Sequence, residues 1–269
     1  MIRLAVRARV EEAEVVLVAL LELAPSGVEQ VDVDHEVEFA VYGAPGELPE
    51  LEQGEAEVAG VRVVVSGTVV DDDWEERWKQ FHQPVLIGKR IYVRPPWEAP
   101  LERPGVLDVP IDPGRAFGTG SHSTTRLCLE LLLDVSEDGG SVVDLGCGSG
   151  VLSIAAARLG LGPVAALDAD PLAVGATEAN ALANGVLLER IERIDLREQP
   201  VPEAELVLAN LMRPLLLRVA DLMGAGRPGT LIASGLLVEE ADEVAGAFAP
   251  MREVRRLADK GWAALLLQS

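Results

Sequence analysis

Apolar and polar positions along the first 67 residues follow the patterns of a small sheet with helices. Alternating apolar side chains predict strands, and apolar side chains three and four residues apart predict a helix. The predicted elements are strands at residues 2–9, 28–33, 36–42 and 61–66, a helix at 11–24 and a short helix after Pro45. This βαββαβ order predicts a small N-terminal α+β domain of the ferredoxin-like type over residues 1–67.

The pattern changes in the remaining part of the chain. Residues 68–82 are predicted as a connector helix, and a hairpin around Gly88-Lys89 opens a second domain, residues 83–269. There, helices are predicted at 124–134, 151–159, 171–184, 213–223 and 238–248, and strands at 141–145, 163–168, 187–194, 205–209 and 229–234. Short apolar strands that alternate with helices predict a doubly wound α/β fold with a parallel sheet covered on both faces. Two final strands, 252–258 and 262–268, predict a terminal antiparallel hairpin.

Charge is strongly negative and unevenly distributed. The 269 residues carry a net charge of −21, with 49% hydrophobic and 25% charged residues, which excludes a disordered chain and disfavours duplex DNA as a partner. Fourteen carboxylates and no Lys or Arg lie between Arg9 and Arg62. This acidic stretch is either a solubilising surface or a docking face for a basic partner.

The two cysteines, Cys128 and Cys147, form no disulfide framework and no metal-binding pair, so the sequence predicts no metal site. The N-terminus does not have the pattern of a signal peptide, and no apolar run is long enough to cross a membrane. We therefore expect a cytoplasmic protein with no membrane partner.

The segment DLGCGSG at residues 144–150 follows an apolar strand and precedes a helix, so its glycines predict a tight ligand-binding turn. Asp168 ends the next strand, 22 residues after Gly146, where an acidic side chain can accept hydrogen bonds from both ribose hydroxyls. Asp170, before Pro171, is the better candidate for a helix cap.

A dinucleotide and S-adenosylmethionine (SAM) are the two candidate ligands for this turn. The dinucleotide pattern G-x-G-x-x-G fails here, because its third glycine position is Val151. A carboxylate such as Asp144 favours a sulfonium and an ammonium group and disfavours a pyrophosphate. We therefore predict SAM, with Asp144, Gly146 and Gly148 among the cofactor-binding residues.

The string DPGRAFGTGSHSTT at residues 112–125 resembles a signature of the ribosomal protein L11 methyltransferase (PrmA) family, as do DLGCGSG and the segment Ala209-Asn210-Leu211. The resemblance implies a Rossmann-like class I SAM-dependent methyltransferase domain. It implies cofactor contacts for a set of residues: Thr125, Gly146, Asp168, Asn210 and the loop Phe117, Gly118, Thr119 and Gly120. Asp195 is a candidate acceptor for the adenine amino group by analogy of position, and His122 is either a structural hydrogen-bond partner or a base.

The implied function is a SAM-dependent protein N-methyltransferase that acts on amino groups of ribosomal protein L11, with residues 1–67 as the docking domain. Asn210 is the candidate catalytic residue, because its side-chain oxygen can accept an N–H of the acceptor amine. Three alternatives stay open. They are a lysine methyltransferase for another protein, a nicotinamide-dependent oxidoreductase and a non-catalytic SAM-binding module.

Overall fold

The computed structural model describes residues 2–9, 12–23, 28–33, 36–43, 54–69, 82–113, 120, 122–137, 139–197, 199–224 and 226–269. The chain divides into two compact units, Met1–Phe81 and His82–Ser269. The helix predicted after Pro45 lies outside the described residues, and so do residues 70–81 of the predicted connector helix. Residues 68 and 69 end a strand instead of starting that helix.

The first unit is an antiparallel sheet of five strands with one described helix. Its elements are β1 (Ile2–Arg9), α1 (Ala13–Leu23), β2 (Glu29–Val33), β3 (Glu36–Gly43), β4 (Gly54–Val58) and β5 (Val61–Val69). The strand order is β2-β3-β1-β5-β4. Leu4, Val6 and Phe39 form the core of this unit together with Val16 and Leu20 of α1.

Strand β4 was not predicted from the sequence. Its residues GEAEV alternate exposed glutamates with Ala56 and Val58, but the run is short and has only one β-branched residue, and β4 lies at the edge of the sheet. The other four strands have the order β2-β3-β1-β5, which matches the strand order of a ferredoxin-like unit. The ferredoxin-like assignment stays a prediction, because its second helix falls outside the described residues.

The second unit begins with a small sheet of three strands: β6 (Val85–Ile87), β7 (Ile91–Arg94) and β8 (Leu107–Pro110). Strands β6 and β7 form the predicted hairpin, and β8 pairs with β7 in parallel. The sequence did not predict β8, which has four residues and ends in proline.

The main sheet has the order β11-β10-β9-β12-β13-β15-β14. Its strands are β9 (Val142–Leu145), β10 (Val164–Asp168), β11 (Arg190–Arg193), β12 (Leu206–Asn210), β13 (Thr230–Leu237), β14 (Arg252–Asp259) and β15 (Trp262–Gln268). The first five strands in this order pair in parallel, and β15 runs antiparallel to both of its neighbours. This confirms the predicted doubly wound sheet with a terminal antiparallel hairpin.

Helices cover both faces of the main sheet. They are α2 (Ser123–Val135), α3 (Val151–Arg158), α4 (Pro171–Ala183), α5 (Arg213–Met223) and α6 (Ala241–Ala247), the last preceded by a 3-10 turn at Val238–Glu240. Successive strand residues contribute to two separate cores: Leu206 and Leu208 to one, Val207 and Ala209 to the other. A strand buried on both faces explains the near-continuous apolar runs in the sequence.

Candidate functional site

The candidate site lies where the central strands of the main sheet end. Strand β9 pairs with β10 on one side and with β12 on the other, so Leu145 is level with Leu167 and with Ala209. The next residues, Asp168 and Asn210, therefore lie on either side of the turn that follows β9. This is the switch point of a doubly wound sheet, where the strand order reverses and ligands bind outside the carboxyl ends of the strands.

The glycine-rich turn occupies the centre of this edge. Gly146, Gly148 and Gly150 have φ angles of 72°, 54° and 81°, a region that glycine adopts at little cost. The amides of Gly146 and Cys147 donate to the Leu167 carbonyl at 2.8 and 3.0 Å, which ties the turn to β10. Glycine is therefore required at these positions by the backbone conformation, and the cofactor contacts of Gly146 and Gly148 stay predictions.

Asp168 is held beside this turn by two backbone amides. Its carboxylate accepts hydrogen bonds from the Gly148 amide at 2.9 Å and from the Asp170 amide at 3.0 Å. The side chain of Asp170 accepts from the Leu172 amide and caps α4, as the sequence predicted. Asp170 therefore caps the helix, and Asp168 is the aspartate that contacts the glycine-rich turn.

Asp144 lies beneath the turn and is only 1% exposed. One carboxylate oxygen accepts from the Ser153 hydroxyl and amide, at 2.5 and 3.1 Å, and so holds the start of α3. The other oxygen is buried and has no hydrogen-bond partner among the described residues. Burial raises the pKa of this carboxyl to about 7, and the negative charge of Asp168 adds to the effect. A cationic ligand nearby would favour the ionised form.

Asn210 and Thr125 come together across the opposite side of the turn. The Asn210 side-chain amide donates to the Thr125 hydroxyl at 3.4 Å, and Thr125 is 1% exposed in the first turn of α2. The structure thus brings together two predicted site residues that are 85 positions apart in the sequence.

Leu211 fixes the backbone that carries Asn210. Its side chain fills the space above Gly146, where an added Cβ would lie 2.4 Å from Leu211 Cδ2. On its other side, a Cβ added to Gly235 of β13 would lie 2.5 Å from the Leu211 carbonyl oxygen. Because Gly146 and Gly235 have no side chains, the space beside them is open for Leu211.

The loop predicted to cover the cofactor is described only at its last residue. Phe117, Gly118 and Thr119 lie outside the described residues. Gly120 is buried against β7, and a Cβ there would lie 2.6 Å from Val93 Cγ1. Its φ of 84° again favours glycine.

His122 has a structural position at the start of α2. Its ring caps the helix by accepting from the Thr124 amide, lies 2.8 Å from the Thr124 hydroxyl, and packs edge-on against Trp262 with ring centres 5.2 Å apart. Burial lowers the pKa of His122 below its ordinary value, and the positive charges of Arg126 and Lys260 lower it further. These contacts favour the structural interpretation over the role of a base.

Asp195 is engaged by a neighbouring side chain. Arg197 pairs with both of its carboxylate oxygens, at 2.8 to 3.2 Å, and lowers the pKa of Asp195 to about 2. An adenine amino group would have to share these oxygens with a guanidinium.

Within the described part of the chain, no cluster of three His, Cys, Asp or Glu side chains could hold a metal ion, and no helix is long and apolar enough to span a membrane.

Sequence reasoning missed Asn180, which joins two segments at the site. From α4 its amide donates to the carbonyls of Ser149, at 2.9 Å, and Asp112, at 3.2 Å, while its oxygen accepts from the Asp112 amide at 2.9 Å. Asn180 is 2% exposed. The available signal was an asparagine on the inward face of a helix, since a buried amide requires partners of this kind.

Comparison with known proteins supplies a family. The family model described as ribosomal protein L11 methyltransferase (PrmA) matches residues 47–269. A ribosomal protein L11 methyltransferase of Pelotomaculum thermopropionicum is 44% identical over 181 residues, which are 66% of this chain and 59% of that relative. One of Caldanaerobacter subterraneus subsp. tengcongensis is 36% identical over 224 residues, 81% of this chain and 72% of that relative. The chain thus spans about three fifths of the length of the first of these relatives.

A solved structure agrees with this result. The ribosomal protein L11 methylase of Lactobacillus delbrueckii subsp. bulgaricus superposes with a TM-score of 0.64 at 25% identity, covering 69% of this chain and 98% of that chain. The doubly wound main sheet is therefore that of the class I SAM-dependent methyltransferases, as the sequence predicted.

Proposed function

This chain belongs to the ribosomal protein L11 methyltransferase (PrmA) family, and we propose that it transfers methyl groups from SAM to amino groups of ribosomal protein L11. The observation that carries the proposal is the meeting of three groups at the switch point of the main sheet. They are the glycine turn, the Asp168 carboxylate bound to that turn, and the Asn210 amide bound to Thr125.

The chemistry of these residues suits SAM. Asp168 would accept hydrogen bonds from the ribose hydroxyls, and Gly146 and Gly148 would let the backbone approach the cofactor closely. Asp144 places a second carboxyl at the same edge, where negative charge favours a cationic sulfonium. When bound, SAM supplies a methyl group that is open to attack by a nucleophile.

The acceptor amine must reach the site with its lone pair exposed. A lysine ε-amine has a reference pKa near 10.4, so its neutral form costs about 4.6 kcal/mol at pH 7, whereas an α-amine near 7.7–8.0 costs about 1–1.4 kcal/mol. We propose that Asn210 accepts an amine N–H through its side-chain oxygen, because the nitrogen of the same amide is directed to Thr125. Such orientation of the reacting groups can lower the activation barrier by roughly 7–11 kcal/mol.

The first unit is the proposed docking domain for L11, which would be a basic partner. Its described strands expose Glu36, Glu55 and Glu57, and fourteen carboxylates without a Lys or Arg lie between Arg9 and Arg62. Opposite charges accelerate the encounter of two proteins and favour the correct partner.

Intact-mass analysis tests the function directly. Purified L11 incubated with the full-length chain and SAM should gain mass in steps of one methyl group. L11 with chemically acetylated amines is the matched control, and it should gain none. If native L11 keeps its mass while methyl label from SAM enters another protein of a bacterial extract, the chain is a methyltransferase with a different substrate. If no protein is labelled although SAM binds, the chain is a non-catalytic SAM-binding module.

A further inference from the structure

The terminal hairpin reaches the first turn of α2. Strands β14 and β15 are joined at Lys260 and Gly261, which have φ angles of 50° and 84°, and the hairpin brackets this turn with Asp259 and Trp262. The Asp259 carboxylate accepts from the Ser123 hydroxyl at 2.6 Å, and the same oxygen pairs closely with the Arg126 guanidinium. Both Asp259 and Arg126 are about one-third exposed, so the pair is partly screened from solvent.

These contacts hold one side of the helix whose other side faces the site. Residues 123 and 126 are three positions apart, so they share a face of α2. Thr125 lies between them in sequence, is buried, and contacts Asn210 from a different face. His122, which caps the same turn, packs against Trp262 of the hairpin. The hairpin therefore contacts the first turn of α2 at three residues that flank Thr125 in the sequence.

We propose that Asp259 is a positioning residue for the methyl-transfer site, which acts through Ser123 and Arg126 on Thr125 and thereby on Asn210. This proposal rests on the proposed function. The contact between Thr125 and Asn210 is 3.4 Å long, near the limit for a hydrogen bond, so a small movement of the helix turn would break it. The hydrogen bond from Ser123 and the charge of Arg126 also hold the pKa of Asp259 below its ordinary value, so the carboxylate stays ionised at neutral pH.

The chain offers a matched control on the same two elements. Asp134, in the last turn of α2, pairs with Arg255 of β14, which also pairs with Glu130 of the same helix. This ion pair also joins the helix to the hairpin strand, but it lies about three helical turns from Ser123. Glu130 still pairs with Arg255 when Asp134 is lost, so a role confined to fastening the hairpin to α2 predicts that kcat and SAM affinity fall in proportion to the loss of thermal stability in both variants.

The test compares Asp259→Ala, Asp259→Asn and Asp134→Ala in the full-length chain. The measurements are the affinity for SAM by calorimetry, kcat and KM for L11, and the midpoint of thermal unfolding. We expect Asp259→Ala to lower kcat and SAM affinity by about tenfold, since small misplacements of reacting groups have large effects on rate. Asp134→Ala should change each by less than about twofold at a comparable loss of thermal stability. Asp259→Asn should lower kcat and SAM affinity by an intermediate amount, because its amide oxygen can still accept a hydrogen bond from Ser123.

Two results would overturn the proposal: unchanged SAM affinity and kcat in Asp259→Ala, or losses of both that stay in proportion to the loss of thermal stability in Asp259→Ala and Asp134→Ala. If Asp259→Ala does not fold, Asp259→Asn and Ser123→Ala decide the question by the same measurements. SAM affinity separates this proposal from the proposed function. A chain that leaves L11 unmodified still shows, by its SAM affinity alone, whether Asp259 differs from Asp134.

Discussion

Asp144→Asn should remove a dependence of stability on pH that the buried carboxyl creates. Burial raises the pKa of Asp144 from an ordinary value of 3.8 to about 7, so the folded chain binds this proton more tightly than the unfolded chain does. The stabilisation from the bound proton is complete below the ordinary pKa and is lost as pH rises toward 7. These two pKa values give a loss of about 3 kcal/mol between pH 5 and pH 8.

The substitution leaves the local structure in place. An asparagine oxygen can accept the hydrogen bonds that the Ser153 hydroxyl and amide donate to Asp144 Oδ2. The variant should therefore gain relative stability over the wild-type chain as pH increases. Urea unfolding at several pH values, analysed for the unit that contains residues 82–269, gives the difference directly.

The difference between the two chains isolates Asp144, because His122 and the other titrating groups are common to both. Asp221→Asn, which removes an exposed carboxylate from α5, controls for the loss of one negative charge. If the wild-type chain and Asp144→Asn differ by the same free energy from pH 5 to pH 8, the carboxyl is ionised throughout. The argument from burial would then be wrong.

Four further outcomes are expected. Asp168→Ala should weaken SAM binding by about 1.5–3 kcal/mol in calorimetry with the fold intact, and unchanged affinity would remove Asp168 from the cofactor site. Asn210→Ala should lower kcat more than SAM affinity in steady-state and binding measurements, whereas equal losses would make it chiefly a cofactor ligand. Gly235→Ala should destabilise the second unit by about 2–5 kcal/mol in urea unfolding, because a φ of 84° is strained for alanine and its Cβ would meet the Leu211 backbone. Gly175→Ala in α4, with no neighbour within 4 Å of the new Cβ, is the control and should stabilise slightly. The KM for L11 should rise as salt shortens the Debye length from about 10 Å at 0.1 M, while SAM affinity changes little, and a salt-independent KM would argue against docking by charge.

The sequence predicts the central strands β9, β10, β12 and β13 well because each is a short apolar run. The departures have local causes. Strand β13 was predicted to end near Ser234, but its pairing with β15 continues to Leu237, because an irregularity between Ser234 and Leu236 absorbs Gly235. Strand β4 is short, has only one β-branched residue and lies at an edge, so its alternation is a weak signal in the sequence.

The candidate site could be predicted only where neighbouring residues carry the signal. The glycine turn and Asp168 follow strands directly, so pattern and spacing identify them. Asn180 and Asp259 act on groups 68 and 136 positions away in the chain, and neither belongs to a local motif. Their roles become visible only when folding brings the partners together.

The place of Leu211 between two glycines has a consequence for how this sequence can drift over time. The obstacle at Gly146 is the tip of the Leu211 side chain, which a smaller residue at position 211 would remove. The obstacle at Gly235 is the Leu211 backbone, which no substitution at position 211 can remove. A smaller residue at position 211 would still leave Gly146 with a φ of 72°, which is strained for any other residue. Positions 146 and 235 should therefore both keep glycine among relatives, whether position 211 holds leucine or a smaller residue.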